Sequence, residues 1–161
     1  MADLGRFRTA QDERHSGFAA ALSEIQAGRK RGHWIWYVFP QLAGLGASAT
    51  SRAFAIRDVA EAQDYLRDPV LCSRLITITA AVVEQASQGM RLDVLMGAAL
   101  DAQKLVSSLT LFGAVARDLA TAEGLETCRS LADSAERVLD EADREGIPRC
   151  RFTLAALRTG A

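Results

Sequence analysis

A chain of 161 residues and 17.4 kDa fits one domain. Its folded form is expected to expose roughly 7,900 Å² against about 25,000 Å² when extended, so a core forms without metal or disulfide staples. Hydrophobic residues at 49% and charged ones at 24% exclude a disordered chain, and a net charge of -1 argues against a general nucleic-acid or membrane-surface binder.

The segment Met1 to Arg6 lacks the apolar stretch of a signal peptide, and no apolar run approaches the roughly 18 residues of a bilayer span. Cys72, Cys128 and Cys150 are odd in number and scattered, and His15 and His33 form no metal-binding spacing. The expectation is a reduced, soluble, cytoplasmic protein without metal, cofactor, membrane contact or DNA partner.

Helical periodicity runs through the chain. Thr9 reads as the N-cap of a first helix, with Asp12 in its first turn, Phe18, Leu22 and Ile25 as its apolar stripe, and Gly28 as its stop. The segment His33–Phe39 is aromatic and β-branched, as a strand would be. With no second strand to pair with, it is better read as a short buried helix or irregular segment. Asp58 to Glu61 is a capping pattern opening a short helix with Ala62, Tyr65 and Leu66. Asp68-Pro69 ends that helix and starts another, whose stripe is Leu71, Leu75, Ile78 and Val82, ending at Gly89. Further helices are expected from Asp101 to about Thr121, from Leu125 to Ala142, and from Phe152 to Leu157. The sum is an all-α fold, one compact domain over residues 1–161.

Three constellations carry possible chemistry. Arg29, Lys30 and Arg31 abut His33, Trp34, Trp36 and Gln41. Aromatic rings beside cations suit a planar phosphate-bearing ligand, although the same spacing also describes ordinary core. On a helix, His33, Trp36, Tyr37 and Pro40 would share a face. Gly44-Leu-Gly46-Ala-Ser48-Ala49 formally matches the dinucleotide-binding glycine fingerprint. The required second strand is missing downstream. What survives is a turn whose amides, with Ser48 or Ser51 capping a following helix, suit an anion. Finally, Lys104 lies three and four residues before Ser107 and Ser108, so a Lys–Ser dyad is conceivable beside the simpler pairing of Lys104 with Asp101.

These residues also form a familiar series. Arg6-Phe7, Ala10-Gln11, Gly28-Arg-Lys30, His33-Trp-x-Trp36, Phe39-Pro-Gln41, Gly44-Leu-Gly-x-Ser48, Glu61-Ala-x-x-Tyr-Leu66 and Lys104-Leu-x-Ser-Ser-x-Thr-Leu-Phe112 span nearly the whole chain. The sequence resembles the uncharacterised family known as domain of unknown function 1810, to which the label calpastatin has sometimes been attached without support in these residues. The resemblance implies an all-helical fold of about seven or eight helices and supplies no activity. Phe54, Asp68, Cys72 and Val106 depart from the family pattern.

The residues together suggest a cleft for a small anionic, phosphate-bearing metabolite, formed by the segments His33–Gln41 and Lys104–Phe112. Its candidate ligand-binding residues are Lys30, His33, Trp34, Trp36, Gln41, Gly44, Gly46, Ser48, Lys104, Ser107 and Ser108. Two alternatives stand beside it. One is an interaction module for protein or single-stranded nucleic acid, using the Arg-Lys-Arg run and exposed aromatics. The other is a serine/lysine hydrolase.

Overall fold

The computed structural model describes residues 2–160. It contains ten helices among them, with no strand beyond an isolated bridge between Leu42 and Ile56. The all-helical expectation is met, but ten helices replace seven or eight. The excess comes from the first expected helix being two and from pieces that periodicity cannot register: α4 (Ala49–Ala53) and α7 (Leu92–Leu95) span one turn or little more, while α3 (Ile35–Val38) is the short helix expected within His33–Phe39. The exposed surface is 7983 Å², close to the value expected from mass.

The first helix is also not the one expected. Thr9 lies inside α1 (Gly5–Gln11), and a separate α2 (Phe18–Gln26) carries the Phe18–Ile25 stripe. The break between them falls at Gly17. A Cβ there would sit 2.3 Å from the carbonyl oxygens of both Gln11 and Glu13, so the chain folds back more tightly than any side chain allows.

The predicted caps at the next two helices do form. Asp58 Oδ1 accepts from Glu61 N at 2.8 Å and opens α5 (Val59–Arg67). Asp68 Oδ1 accepts from Val70 N and Leu71 N at 3.0 and 3.1 Å, and Pro69 takes the first position of α6 (Pro69–Ser87). Arg8 pairs with the same carboxylate, tying α1 to the α5–α6 junction. Burial works against the charged Asp68, but Arg8 and the two amides outweigh it and hold its carboxyl below the usual range.

The long helix α8 (Ala99–Glu123) is buried on every side from Leu105 to Gly113 and forms the centre of the molecule. Leu105, Leu109, Phe112, Val115 and Ala116 are all buried along it. The two-residue link Gly124–Leu125 turns it back against α9 (Glu126–Arg144), whose inner stripe runs Cys128, Leu131, Ala135, Val138 and Ala142. Helices α5, α7 and α10 (Arg151–Thr159) pack on other sides of α8, while α6 leans on α9 and α2. By length and composition, α6 and α8 are each apolar enough to cross a membrane; most of α8 is buried inside the protein.

Several polar pairs are struts. Gln11 donates to Tyr37 O at 2.7 Å and to Tyr65 Oη at 3.1 Å, in contact with the fully buried Tyr65 ring. Arg6 reaches Glu61 Oε1 and Ala55 O, each at 2.9 Å. Arg149 is gripped by Glu136, Asp140 and Asp143 of α9, which fixes the connection leading into α10.

Candidate functional site

The loop before α3 is organised around one carboxylate. Glu24 Oε1 accepts from Gly32 N at 2.6 Å and from Trp34 Nε1 at 3.2 Å, and also from Arg31 N. Burial raises its pKa, but these donors and nearby Lys30 reverse the effect and hold it below the ordinary value. The indole of Trp34 is fully buried. It is therefore a core ring, and the expected stacking role does not fit it. The one-turn helix α3 excludes His33, which lies outside it and is exposed, so the expected shared face of His33, Trp36, Tyr37 and Pro40 does not form.

Lys30 and Lys104 do meet, through Asp101. Lys30 Nζ lies 2.7 Å from Asp101 Oδ2, and Lys104 Nζ lies 3.1 Å from Asp101 Oδ1. Each ammonium also rests on an indole: Lys30 Nζ is 5.1 Å from the Trp34 ring centre and Lys104 Nζ is 4.1 Å from that of Trp36. Asp101 is partly buried, which favours its neutral form. The two ammoniums prevail and keep it ionised to lower pH than an ordinary aspartate. The Lys30 side chain is only 6% exposed. It is a buried strut beneath Trp34, and the Arg-Lys-Arg run is no continuous basic patch.

The serines do not join these lysines. Ser107 Oγ donates to Gln103 O at 3.0 Å, and Ser108 Oγ is buried without a hydrogen-bond partner. Since Lys104 is bound to Asp101 and neither hydroxyl bonds to it, the Lys–Ser dyad is not assembled. The same geometry removes Ser107 and Ser108 from the expected cleft.

A cavity of about 130 Å³ lies instead between the segment Trp36–Gly46 and α4. Ala43 N donates to Ile56 O at 2.7 Å and Ile56 N to Gln41 O at 2.8 Å. These two bonds clasp the chain on either side of α4 and close the hollow. Ser48 caps α4 by accepting from Ser51 N at 3.1 Å, as one of the two expected serines should. Trp36 forms one wall, with Gln41, Gly44, Gly46 and Ser51 around it. Gly44 has φ +103°, and a Cβ there would lie 2.8 Å from the Phe152 ring, so both conformation and space demand glycine.

Of the expected residues, Trp36, Gln41, Gly44 and Gly46 thus line one hollow, Lys104 backs it through Trp36, and Ser48 orders its rim. Sequence reasoning missed Arg52, which also lines the cavity. Its guanidinium is exposed and has no ion pair among the described residues. Its signal was its place on the helix that the glycine turn opens. Among the described residues, no three metal-ligating side chains converge.

Comparison with known proteins bears on identity but not on chemistry. Residues 1–135 match the model of a protein family of unknown function, DUF1810. A crystal structure of the conserved hypothetical protein Rv1873 from Mycobacterium tuberculosis is similar over 95% of this chain and 94% of that one, with 34% identity and a TM-score of 0.73. No curated protein matches.

Proposed function

Because the chain belongs to the DUF1810 family of proteins of unknown function, its activity has to be argued from the cleft, and we propose that it binds a small anionic metabolite there. One observation carries this reading. An exposed guanidinium without an ion pair, Arg52, borders a hollow walled by the Trp36 indole and by a glycine turn. Among the described residues, the backbone amides of Gly44, Leu45 and Gly46 donate to no other group. A planar guanidinium and free amides suit a phosphate or carboxylate, while the indole suits a flat or apolar remainder. Lys104, 4.1 Å behind Trp36, enriches the positive field without touching the ligand. At about 130 Å³, the hollow is smaller than the roughly 300–1,000 Å³ of drug-sized sites, which favours a compact ligand over a dinucleotide.

The test is a thermal-shift titration with inorganic phosphate and a panel of small aromatic and sugar phosphates. A ligand at ten times its Kd should stabilise by about 1.4 kcal/mol, worth roughly 3–6 °C for a chain of this size. Arg52→Ala should abolish the shift while leaving the unliganded melting temperature unchanged, because this side chain makes no ion pair. Saturable stabilisation that survives Arg52→Ala would place the ligand elsewhere.

A further inference from the structure

A second hollow of about 280 Å³ adjoins the first, and the two share Arg52 and Ala55 as a common wall. Asp3, Arg6, Ala53 and Arg57 complete it. Three guanidinium groups thus surround one space in a chain whose overall charge is -1. Against them stand Asp3, on the wall, and Glu61, which pairs with Arg6 and Arg57, so one positive charge is left over. Asp58 turns to the Glu61 amide as the α5 cap and does not line the hollow.

The three arginines are not equally engaged. Arg6 is fastened: its Nη1 donates to Asp3 O at 2.7 Å, and its Nη2 donates to Ala55 O and Glu61 Oε1 at 2.9 Å each. Its guanidinium carbon also lies 4.3 Å from the Phe7 ring centre. Glu61, with its side chain only 1% exposed, is taken up on both oxygens, Oε1 by Arg6 and Oε2 by Arg57 N at 2.7 Å. The Arg57 guanidinium is left with one long approach, Nε to Glu61 Oε1 at 3.4 Å, and makes no hydrogen bond among the described residues. Arg52 has no ion pair there at all. Two exposed guanidinium forks therefore border a space that a third, fixed one completes. Like charges gathered in this way repel, and an anion seated between them relieves the repulsion.

The two hollows differ in kind. Trp36 and Phe54 line the first, whereas no ring lines the second. Together they suit one flat group followed by an anionic tail, and they give a second base nothing to stack on. We infer that the ligand of the Arg52 cleft is an organic diphosphate. Its flat part and first phosphoryl group occupy the Trp36 hollow, and the second phosphoryl group passes Arg52 into the space between Arg6 and Arg57. This inference rests on the cleft reading and extends it. Arg52 serves both phosphoryl groups and Arg57 the distal one, each through the planar fork that matches phosphate oxygens. With Asp3 on its wall, the second hollow has charge to spare for one anionic group rather than for a long polyanion.

Isothermal titration calorimetry at fixed ionic strength, with inorganic phosphate and pyrophosphate as probes, tests the assignment. Pyrophosphate should bind about 10-fold more tightly, the order of one charge-assisted hydrogen bond. Arg57→Ala should collapse that ratio to about 1. So should Ala53→Glu, which sets a carboxylate on the same wall and decides the matter if the first variant fails to fold. Arg129→Ala removes an arginine of α9 that pairs with Glu126, and it should keep the full ratio. Equal affinity for the two probes, a ratio that survives Arg57→Ala, or one that Arg129→Ala lowers as much, overturns the diphosphate assignment. Arg52→Ala separates the two readings. If it abolishes phosphate binding while the wild type prefers neither probe, the cleft stands and the second hollow takes no part. If both probes still bind to Arg52→Ala, the cleft reading falls and this inference with it.

Discussion

Replacing Asp101 with asparagine keeps the shape of the side chain and removes the charge that joins Lys30 to Lys104. At 2.7 Å, the attraction between Asp101 and Lys30 amounts to about 6 kcal/mol at an effective dielectric of about 20. Desolvation of both groups opposes it, and removing one member of a buried pair costs about 3–5 kcal/mol in practice. Lys30 keeps its bond to Gly32 O and its place over Trp34, so the lower end, about 3 kcal/mol, is expected for Asp101→Asn. Urea unfolding followed by tryptophan fluorescence reads this directly, because both indoles adjoin the cluster. With a slope of about 2 kcal/mol/M the midpoint should fall by about 1.5 M.

The double variant Lys30→Met/Asp101→Asn should lose less than the two single variants together, since it strands no buried charge. The pH dependence has a definite sign. A carboxyl held below its ordinary pKa contributes stability in full above about pH 5, and loses it as pH falls through the folded-state value. The gap between wild type and Asp101→Asn should accordingly narrow towards acid. A loss below about 0.5 kcal/mol at neutral pH, or additive single and double variants, would refute a cluster held together by this carboxylate.

Gly44→Ala should destabilise by about 1–3 kcal/mol, because it forces φ +103° on an alanine and drives its Cβ into Phe152; adding Phe152→Ala should recover only the steric part, as differential scanning calorimetry would show. Asp68→Ala should cost about 1–2 kcal/mol through the lost α6 cap, with Arg8 released as well. Its loss should be full above about pH 5 and shrink as pH falls through the folded-state value, which Arg8 and the cap amides hold below that of an ordinary aspartate, measurable as converging melting temperatures.

What could be read in advance followed from how local each signal was. Asp58, Asp68 and Pro69 announce their helices because capping involves only residues two or three positions apart. The stripe of α9 is legible for the same reason, one face apolar and the other charged. In contrast, α4 and α7 are too short for a period, and the turn at Gly17 depends on carbonyls that only the folded backbone brings near. The site was half visible. Trp36, Gln41, Gly44 and Gly46 stood out as aromatic, amide and glycine signals. The pairing of Lys104 with Asp101 was legible at three residues' spacing, whereas the second lysine on that carboxylate, Lys30, comes from 71 positions away, a distance local patterns do not reach.

The all-round burial of α8 sets a limit on how this chain can change. Each residue advances a helix by about 100°, so one amino acid added near Ala114 would rotate every later side chain of α8 away from its present neighbour. Leu119 would leave its packing, and α9, tethered by two residues, would be carried round with it. Growth or trimming of the polypeptide is far easier at Gln88–Gly89 or Gly146, where the backbone meets solvent. The central rod acts as a ruler, and the surface turns take up the slack.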